Sequence, residues 1–332
     1  AGRRPRDLGH VVSVERRHVV ATRLSITALD HDVAVTVDSP VRNRQDERLT
    51  VAAQSNDDDP RRGRVFGHRV LEQQVERHES PDDRTGGLVL VGYRCSASGM
   101  AITCAQRHVF DPAIWSAGTV LAPDRATTTL LATVAAGTTA TVTKFVTYAT
   151  SSTQPADELV VQCRVDVDEA VTVGWDHLLG EQQQRYEGFW ARTDVVVDGD
   201  PAAQQAIRWN LFQLAQATAR TGVLGVAAKG VTAGGYDGHY FWDTEIYVIP
   251  FLAATKPRAA RHLLEFRAAM LPAARRRAAE MDQRGALYPW RTITGDEASA
   301  YYPAGTAQYH IDAAIAHAVD RYVAATGDTG FL

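Results

Sequence analysis

The sequence changes period near its middle, and that change limits the folds open to it. Residues 11–150 are rich in Val, Thr and Arg and run in short β-type segments, among them Leu88-Val89-Leu90-Val91 and Thr139 to Tyr148 (TATVTKFVTY). In the second, Val142 and Val146 fall at period-2 spacing, as on a strand with one face toward a core. Turn signals at Asp57-Asp58-Asp59-Pro60 and Thr85-Gly86-Gly87 separate the runs. From about residue 200 the spacing becomes helical. An antiparallel β-sandwich followed by an α-helical region is therefore expected, a multidomain β + α chain.

Asp198-Gly199-Asp200-Pro201 supplies an N-cap carboxylate and a proline for the first helical position. Behind it Ala203, Ile207, Leu211, Leu214 and Ala215 recur at helical spacing. A second helix is predicted from Thr255 through Leu263, Leu264 and Phe266 to Ala279, with Pro257 in its first turn. A third runs from His310 to Ala325, with Ile311, Ala314, Ile315, Ala318 and Tyr322 as its stripe and Gly327 as its stop. Segment 155–195 reads two ways: Val160, Val161, Val165 and Val167 favour strand, whereas Asp176 to Ala191 reads as a polar linker helix. At 332 residues the chain exceeds what one hydrophobic core usually serves. The divisions expected are 1–152 (sandwich), 153–197 (a partly helical linker) and 198–332 (helical).

Several classes are set aside. No window approaches the roughly 20 apolar residues of a membrane span. The opening AGRRPRDLGH has no apolar stretch after its basic residues, so no secretory leader is expected and the location expected is cytoplasmic. A net charge of −4 does not suit a nucleic-acid partner. Cys95, Cys104 and Cys163 are too scattered for a disulfide framework or a zinc site. His310 and His317 stand seven apart without a third ligand, so no metal is expected. Arg275-Arg276-Arg277 reads as a solvated helix face, with a phosphate site as the alternative. Gly230, Gly234, Gly235 and Gly238 match neither a P-loop nor a dinucleotide fingerprint.

Chemistry concentrates late in the chain. Of 26 aromatic residues, 14 lie in the last 97 positions, and five fall between Tyr236 and Tyr247. There His239, Asp243 and Glu245 are interleaved with Tyr236, Tyr240, Phe241 and Trp242. Flat apolar faces beside hydrogen-bonding groups suit a sugar ring, whose C–H face stacks and whose hydroxyls need partners. A buried aromatic helix start with a satisfied histidine gives the same pattern. A second cluster, Gly285 to Thr292 (GALYPWRT) with Gly295-Asp296-Glu297 and Tyr301 to Thr306 (YYPAGT), carries Trp290 and Arg291 on a predicted loop. Tyr301 and Tyr302 read as packing for that loop.

Taken together, KGVTAGGYDGHYFWDTEIYVIPF (229–251), GALYPWRT (285–292) and YYPAGTAQYHIDAAIAHAVDRYVAATGD (301–328) resemble glycoside hydrolase family 65, the family of trehalose, maltose and kojibiose phosphorylases and acid trehalases. The resemblance implies a sandwich, a helical linker beginning at WDHLLGEQQQRYEGFW (175–190), and a partial (α/α)6 barrel. It also makes residues 160–168 at least partly helical.

The resemblance further implies inverting cleavage of an α-glucoside such as trehalose or maltose. Inorganic phosphate is then the co-substrate, no cofactor is needed, and β-glucose 1-phosphate is released. Trp242 and Asp243 match residues lining the glucose subsite, Trp242 walling the ring and Asp243 accepting from hydroxyls. Tyr236, His239 and Arg291 are their expected neighbours, and a homodimer is the assembly implied. The family's general acid is a glutamate downstream of the PAGT…HID helix, so it is expected beyond Leu332, in a chain read as incomplete at both ends. Asp237 stands where a basic residue is implied. Of the acids present, Glu245 is assigned to structure. Asp296 and Glu297 are weighed as acids, and pairing of Glu297 with Arg291 or a backbone amide is the preferred reading. A trehalase-like hydrolase, another (α/α)6 glycosidase and a non-catalytic carbohydrate-binding or assembly module are the rivals.

Overall fold

The computed structural model describes residues 6–45, 69–79, 86–96, 98–217, 222, 225–230, 235–299 and 301–332. The turn expected at Asp57–Pro60 lies outside these, as do Thr85, Gly234 and the side chain of Asp237. The chain forms two compact units, the first extending to Gly188 and the second starting at Phe189.

Among its described residues the first unit holds nine strands: β1 (Arg6–Val12), β2 (Val19–Thr27), β3 (Val33–Arg42), β4 (Leu71–Glu79), β5 (Leu88–Cys95), β6 (Ala101–Phe110), β7 (Trp115–Ala122), β8 (Arg125–Val134) and β9 (Thr139–Ser151). A six-stranded sheet runs β1-β2-β9-β6-β5-β4 and a three-stranded one β3-β8-β7. Every pairing is antiparallel. The central strand β9 is covered on both faces. Val142 packs with Trp115 and Leu130, and Val146 with Val91 and Ala126. On the opposite face Phe145 and Ala149 meet helix α1 (Leu159–Val173) through Val160, Cys163 and Val167. Two threonines on that face find partners in the segment they pack against: Thr103 Oγ1 donates to the Ala156 carbonyl at 2.6 Å and Thr147 Oγ1 to the Cys163 carbonyl at 2.9 Å.

Val160, Val161, Val165 and Val167 are thus helical, as the family resemblance implied and their composition did not. Val160 and Val167 are buried, while Val161 and Val165 face solvent. The burial period is carried by Leu159, Cys163, Val167 and Ala170. Helix α2 (Trp175–Thr193) follows, with Trp175 and Leu178 in the same core. The helices in 159–188 therefore belong to the packed first unit.

In the second unit helix α3 (Pro201–Ala217) starts as predicted. Asp200 Oδ1 accepts from the amides of Ala202 and Ala203 at 3.0 and 2.9 Å. Its apolar stripe, however, leaves no residue buried. The single helix expected over 255–279 is two, α5 (Pro257–Ala269) and α6 (Leu271–Glu280), and a separate short helix α4 (Ile249–Thr255) precedes them. Pro257 keeps Lys256 out of helical geometry (φ −143°, ψ 67°). In a continuous helix the ring of Pro272 would meet the Ala268 carbonyl. Helix α7 (His310–Thr326) ends at Gly327 with φ 71°, the left-handed stop foreseen. Leu252, Leu263, Leu264, Phe266, Ile311 and Tyr322 form the core that α4, α5 and α7 share.

Candidate functional site

Two irregular segments of the second unit carry the aromatic clusters, and one backbone bridge joins them. Tyr240 N donates to the Thr292 carbonyl at 2.8 Å, and Thr292 N returns a bond to the Tyr240 carbonyl at 3.2 Å. Two residues on from Tyr240 stand Trp242 and Asp243; just before Thr292 stand Trp290 and Arg291. The bridge sets the two pairs side by side.

Below the bridge lies a buried ionic anchor. Glu245 and Arg267 are 0% and 1% exposed, with Arg267 Nε to Glu245 Oε1 at 2.8 Å and Nη2 to Oε2 at 3.2 Å. Tyr240 Oη donates to the same carboxylate at 2.6 Å, and the Arg267 guanidinium lies 4.4 Å from the Tyr240 ring centroid. Burial, with the Glu245 charge, pushes the Tyr240 hydroxyl well above the usual tyrosine range, so it remains a donor. Glu245 sits in a π-helical turn over Thr244–Val248, and its amide donates to the Trp242 carbonyl at 3.1 Å. The turn arises just before Pro250, which has no N–H to return to Ile246. Glu245 is structural, as its position two residues past Asp243 suggested.

Glu297 anchors the second segment. Its Oε2 accepts from the Trp290 amide at 2.7 Å and from Arg277 Nη1 at 2.6 Å; its Oε1 accepts from the amides of Arg291 at 3.2 Å and Ser299 at 3.0 Å. The backbone-amide reading of Glu297 is the observed one, with Arg277 as its cation. Asp296 is exposed and meets Arg276 at 3.1 Å. Two arginines of the 275–277 run are therefore loop anchors, neither a purely solvated face nor an open phosphate site. Asp312 accepts from the Tyr288 amide at 3.4 Å, and burial raises its carboxyl above the ordinary aspartate value.

Above these anchors opens a concavity of about 510 Å³ lined by Ala228, Lys229, Tyr236, Phe241, Trp242, Asp243, Trp290, Arg291, Ser299 and Tyr301. Four of the five residues singled out from sequence line it: Tyr236, Trp242, Asp243 and Arg291. His239 is held at its margin. Tyr236 adopts φ 59°, and its carbonyl accepts from the His239 amide at 2.9 Å and from Arg291 Nη2 at 3.4 Å, with His239 Nδ1 2.7 Å away. Arg291 Nη2 also lies 3.2 Å from His239 Nδ1, so the imidazole, the Tyr236 carbonyl and the guanidinium form one cluster. Rings pack edge to face along the wall, Tyr236–Phe241 at 5.1 Å and Phe241–Trp290 at 5.8 Å, then Trp290–Tyr301 at 6.1 Å. Trp242 is steadied from behind by His310, 4.8 Å between centroids. Asp243 is the lining carboxylate among the described residues. It is exposed at the mouth and available to accept from hydroxyls.

Lys229, Phe241 and Ser299 line the cavity without having been singled out. Lys229 is one of only three lysines in the chain, and its Nζ lies 5.7 Å from the Tyr236 ring centroid. Tyr301, read as loop packing, also reaches the wall, whereas Tyr302, the more exposed of the two, is not among the lining residues. The arrangement offers apolar faces, one carboxylate and two cations, the donor and acceptor set of a polyol site.

Models of two domains match this chain: "Glycosyl hydrolase family 65, N-terminal domain" over residues 9–189 and "Glycosyl hydrolase family 65 central catalytic domain" over residues 208–332. An α,α-trehalose phosphorylase of Thermoanaerobacter brockii is 49% identical over 196 residues, covering 59% of this chain and 25% of that protein. An uncharacterised glycosyl hydrolase of Mycobacterium tuberculosis is 38% identical over 319 residues, 96% of this chain and 39% of its own length. A solved structure of a candidate kojibiose phosphorylase from the human microbiome superposes with a TM-score of 0.81 at 20% identity, a likeness of fold, over 99% of this chain and 40% of that one. The chain thus spans 25–40% of the length of these proteins.

Proposed function

The chain belongs to glycosyl hydrolase family 65, and from that premise we propose that it supplies the sugar-binding wall of an inverting α-glucoside phosphorylase. Trehalose is the leading substrate and β-glucose 1-phosphate the product. The observation that carries the reading is the concavity itself, in which Asp243 stands beside Trp242, Trp290 and Arg291. Trp242 walls the glucosyl ring, Asp243 accepts from its hydroxyls, and Arg291 and Lys229 lend positive charge. The proton donor in this reading is the downstream glutamate implied by the family resemblance. It protonates the glycosidic oxygen while phosphate attacks the anomeric carbon from the opposite face. Trehalose is preferred because the trehalose phosphorylase relative is 49% identical across the region it matches. A hydrolase is the second reading, favoured by the M. tuberculosis relative that matches 96% of this chain.

The test uses the full-length enzyme containing this chain, assayed for phosphate-dependent release of glucose 1-phosphate from trehalose and from maltose. Asp243→Asn is expected to lower kcat/KM by about 100-fold, the weight of a charge-assisted hydrogen bond near 3 kcal/mol. Trp242→Ala should lower it comparably while leaving unfolding nearly unchanged. Glucose release that does not depend on phosphate selects the hydrolase. Near-normal turnover in both variants removes the subsite assignment.

A further inference from the structure

The first unit contains a cavity of its own, independent of the aromatic site. It measures about 460 Å³ and lies between the six-stranded sheet and β3, with Val91, Tyr93, Ile102, Lys144 and Val146 among its walls and Arg42 at its rim. Strand register explains the set. Lys144 shares a face of β9 with Val142 and Val146, opposite His108 of β6, and Val91 of β5 stands opposite Cys104. That face looks toward the second sheet, where an alternating strand would put another valine. A lysine stands there instead.

No carboxylate lines the cavity, and Lys144 makes no ion pair or hydrogen bond among the described residues. Burial lowers its pKa below the usual lysine value, and its charge helps burial push His108 down to about 3. A second polar group is also unused. The Tyr93 hydroxyl is buried without a well-aligned hydrogen bond, and burial, with the charge and nearness of the Asp124 carboxylate, raises its pKa, so it keeps its proton. Asp124 is itself engaged by Arg69 and by Asn43 Nδ2 at 3.2 Å. A half-buried ammonium and a hydroxyl without a well-aligned bond in an apolar chamber are costly unless something completes them.

We propose that this cavity is a binding site for a small organic anion with an apolar body, its anionic head held by Lys144 and Tyr93 and its body packed on Val91, Ile102 and Val146. The head group meets a cation and a donor, with no carboxylate among the described residues that line the cavity, and the apolar walls favour a hydrocarbon over a sugar or a bare ion. This site has no part in the glycoside reading, so either can fail without the other.

Calorimetric titration of the 332-residue chain with sodium octanoate, 1-octanol and inorganic phosphate tests it. Octanoate is expected to bind saturably. Lys144→Met should weaken it by about tenfold or more, the scale of a charge-assisted bond, while octanol binding is unchanged. Tyr93→Phe should weaken octanoate by a smaller factor. Because Lys144→Met removes an unpaired, partly buried charge, the ligand-free variant should melt no lower than wild type. Ile102→Trp, which fills the chamber, should abolish binding of both octanoate and octanol, and it decides the matter if Lys144→Met does not fold. Octanoate affinity unchanged by Lys144→Met or by Ile102→Trp overturns the proposal. So does an absence of saturable heat up to about 10 mM octanoate, or inorganic phosphate binding as tightly as octanoate.

Discussion

The two units satisfy their buried polar groups by different means. In the sandwich the work falls to backbone ladders and neutral hydroxyls. Thr103 and Thr147 face the helical segment and reach the Ala156 and Cys163 carbonyls directly. In the helical unit the described residues of the loops that form the aromatic cavity have no ladder beyond the Tyr240–Thr292 bridge. Charged anchors hold them instead: Glu245 with Arg267 under the first loop, and Glu297 with Arg277 under the second. A regular element can be specified by a repeating pattern. An irregular loop needs particular charges at particular places, so each anchor is harder to replace.

The sharpest way to break this contrast is to remove one anchor partner. Glu245→Gln leaves the fully buried Arg267 guanidinium without its counter-charge and is expected to cost about 3–5 kcal/mol in denaturant unfolding. Thr147→Val, which removes a neutral hydroxyl in the sandwich, should cost about 1 kcal/mol. The double replacement Glu245→Met, Arg267→Met should recover most of the larger loss, because no unpaired charge remains. Equal costs for Glu245→Gln and Thr147→Val would erase the distinction between the units.

The same distinction governs what could be read before any coordinates. The sandwich was legible because period-2 runs such as Thr139 to Tyr148 specify both a strand and its faces. The valines of 160–167 were ambiguous for a physical reason. β-Branched residues favour strands locally, yet here Cys163 and Ala170, which carry little strand signal, complete a helical stripe against the sheet. The long helix drawn from Thr255 ignored what Pro257 and Pro272 do to their neighbours. At the cavity, Tyr236, Trp242 and Asp243 stood out by composition, and Arg291 by its place beside Trp290. Lys229 and Ser299 did not, because their place on the wall depends on the backbone bridge at Tyr240 and Thr292, a contact distant in sequence and without local pattern.

Acid should separate the units more gently. His108 is buried, bonds Ser39 Oγ at 2.8 Å, and has its pKa pushed from 6.5 to about 3 by burial and by Lys144. Between those values the unfolded chain binds a proton that the folded sandwich refuses. Its stabilising contribution is thus complete above pH 6.5 and lost as pH falls toward 3. From pH 8 to pH 5 this group alone should cost about 2 kcal/mol. Asp312 in the helical unit acts in the other direction: its raised pKa means the folded state takes the proton first, and acid favours it. Hydrogen exchange at pH 8 and pH 5 should show β6 and β9 amides losing protection in wild type and keeping more of it in His108→Gln. Identical pH slopes in the two proteins would remove His108 as the cause.

The smallest effect tests whether helices within one unit also differ in what holds them. Helix α7 has no side-chain cap at Tyr309 but buries Ile311, Ala314, Ala318 and Tyr322. Helix α3 buries none of its residues and relies on local bonds. Asp200 caps two amides, Gln204 reaches the Val195 carbonyl and the Val197 amide at 2.9 and 2.8 Å, and Arg208 grips Asp194 through two bonds at 2.8 and 2.6 Å. Asp200→Ala should therefore cost about 1 kcal/mol, the usual weight of a cap, and the loss should be local. Exchange protection over residues 201–208 falls while that of α7 and of the sandwich strands holds. Asp200→Asn, which keeps an acceptor in place, should restore most of it. A loss spread evenly over α7 would mean that α3 is held by packing after all.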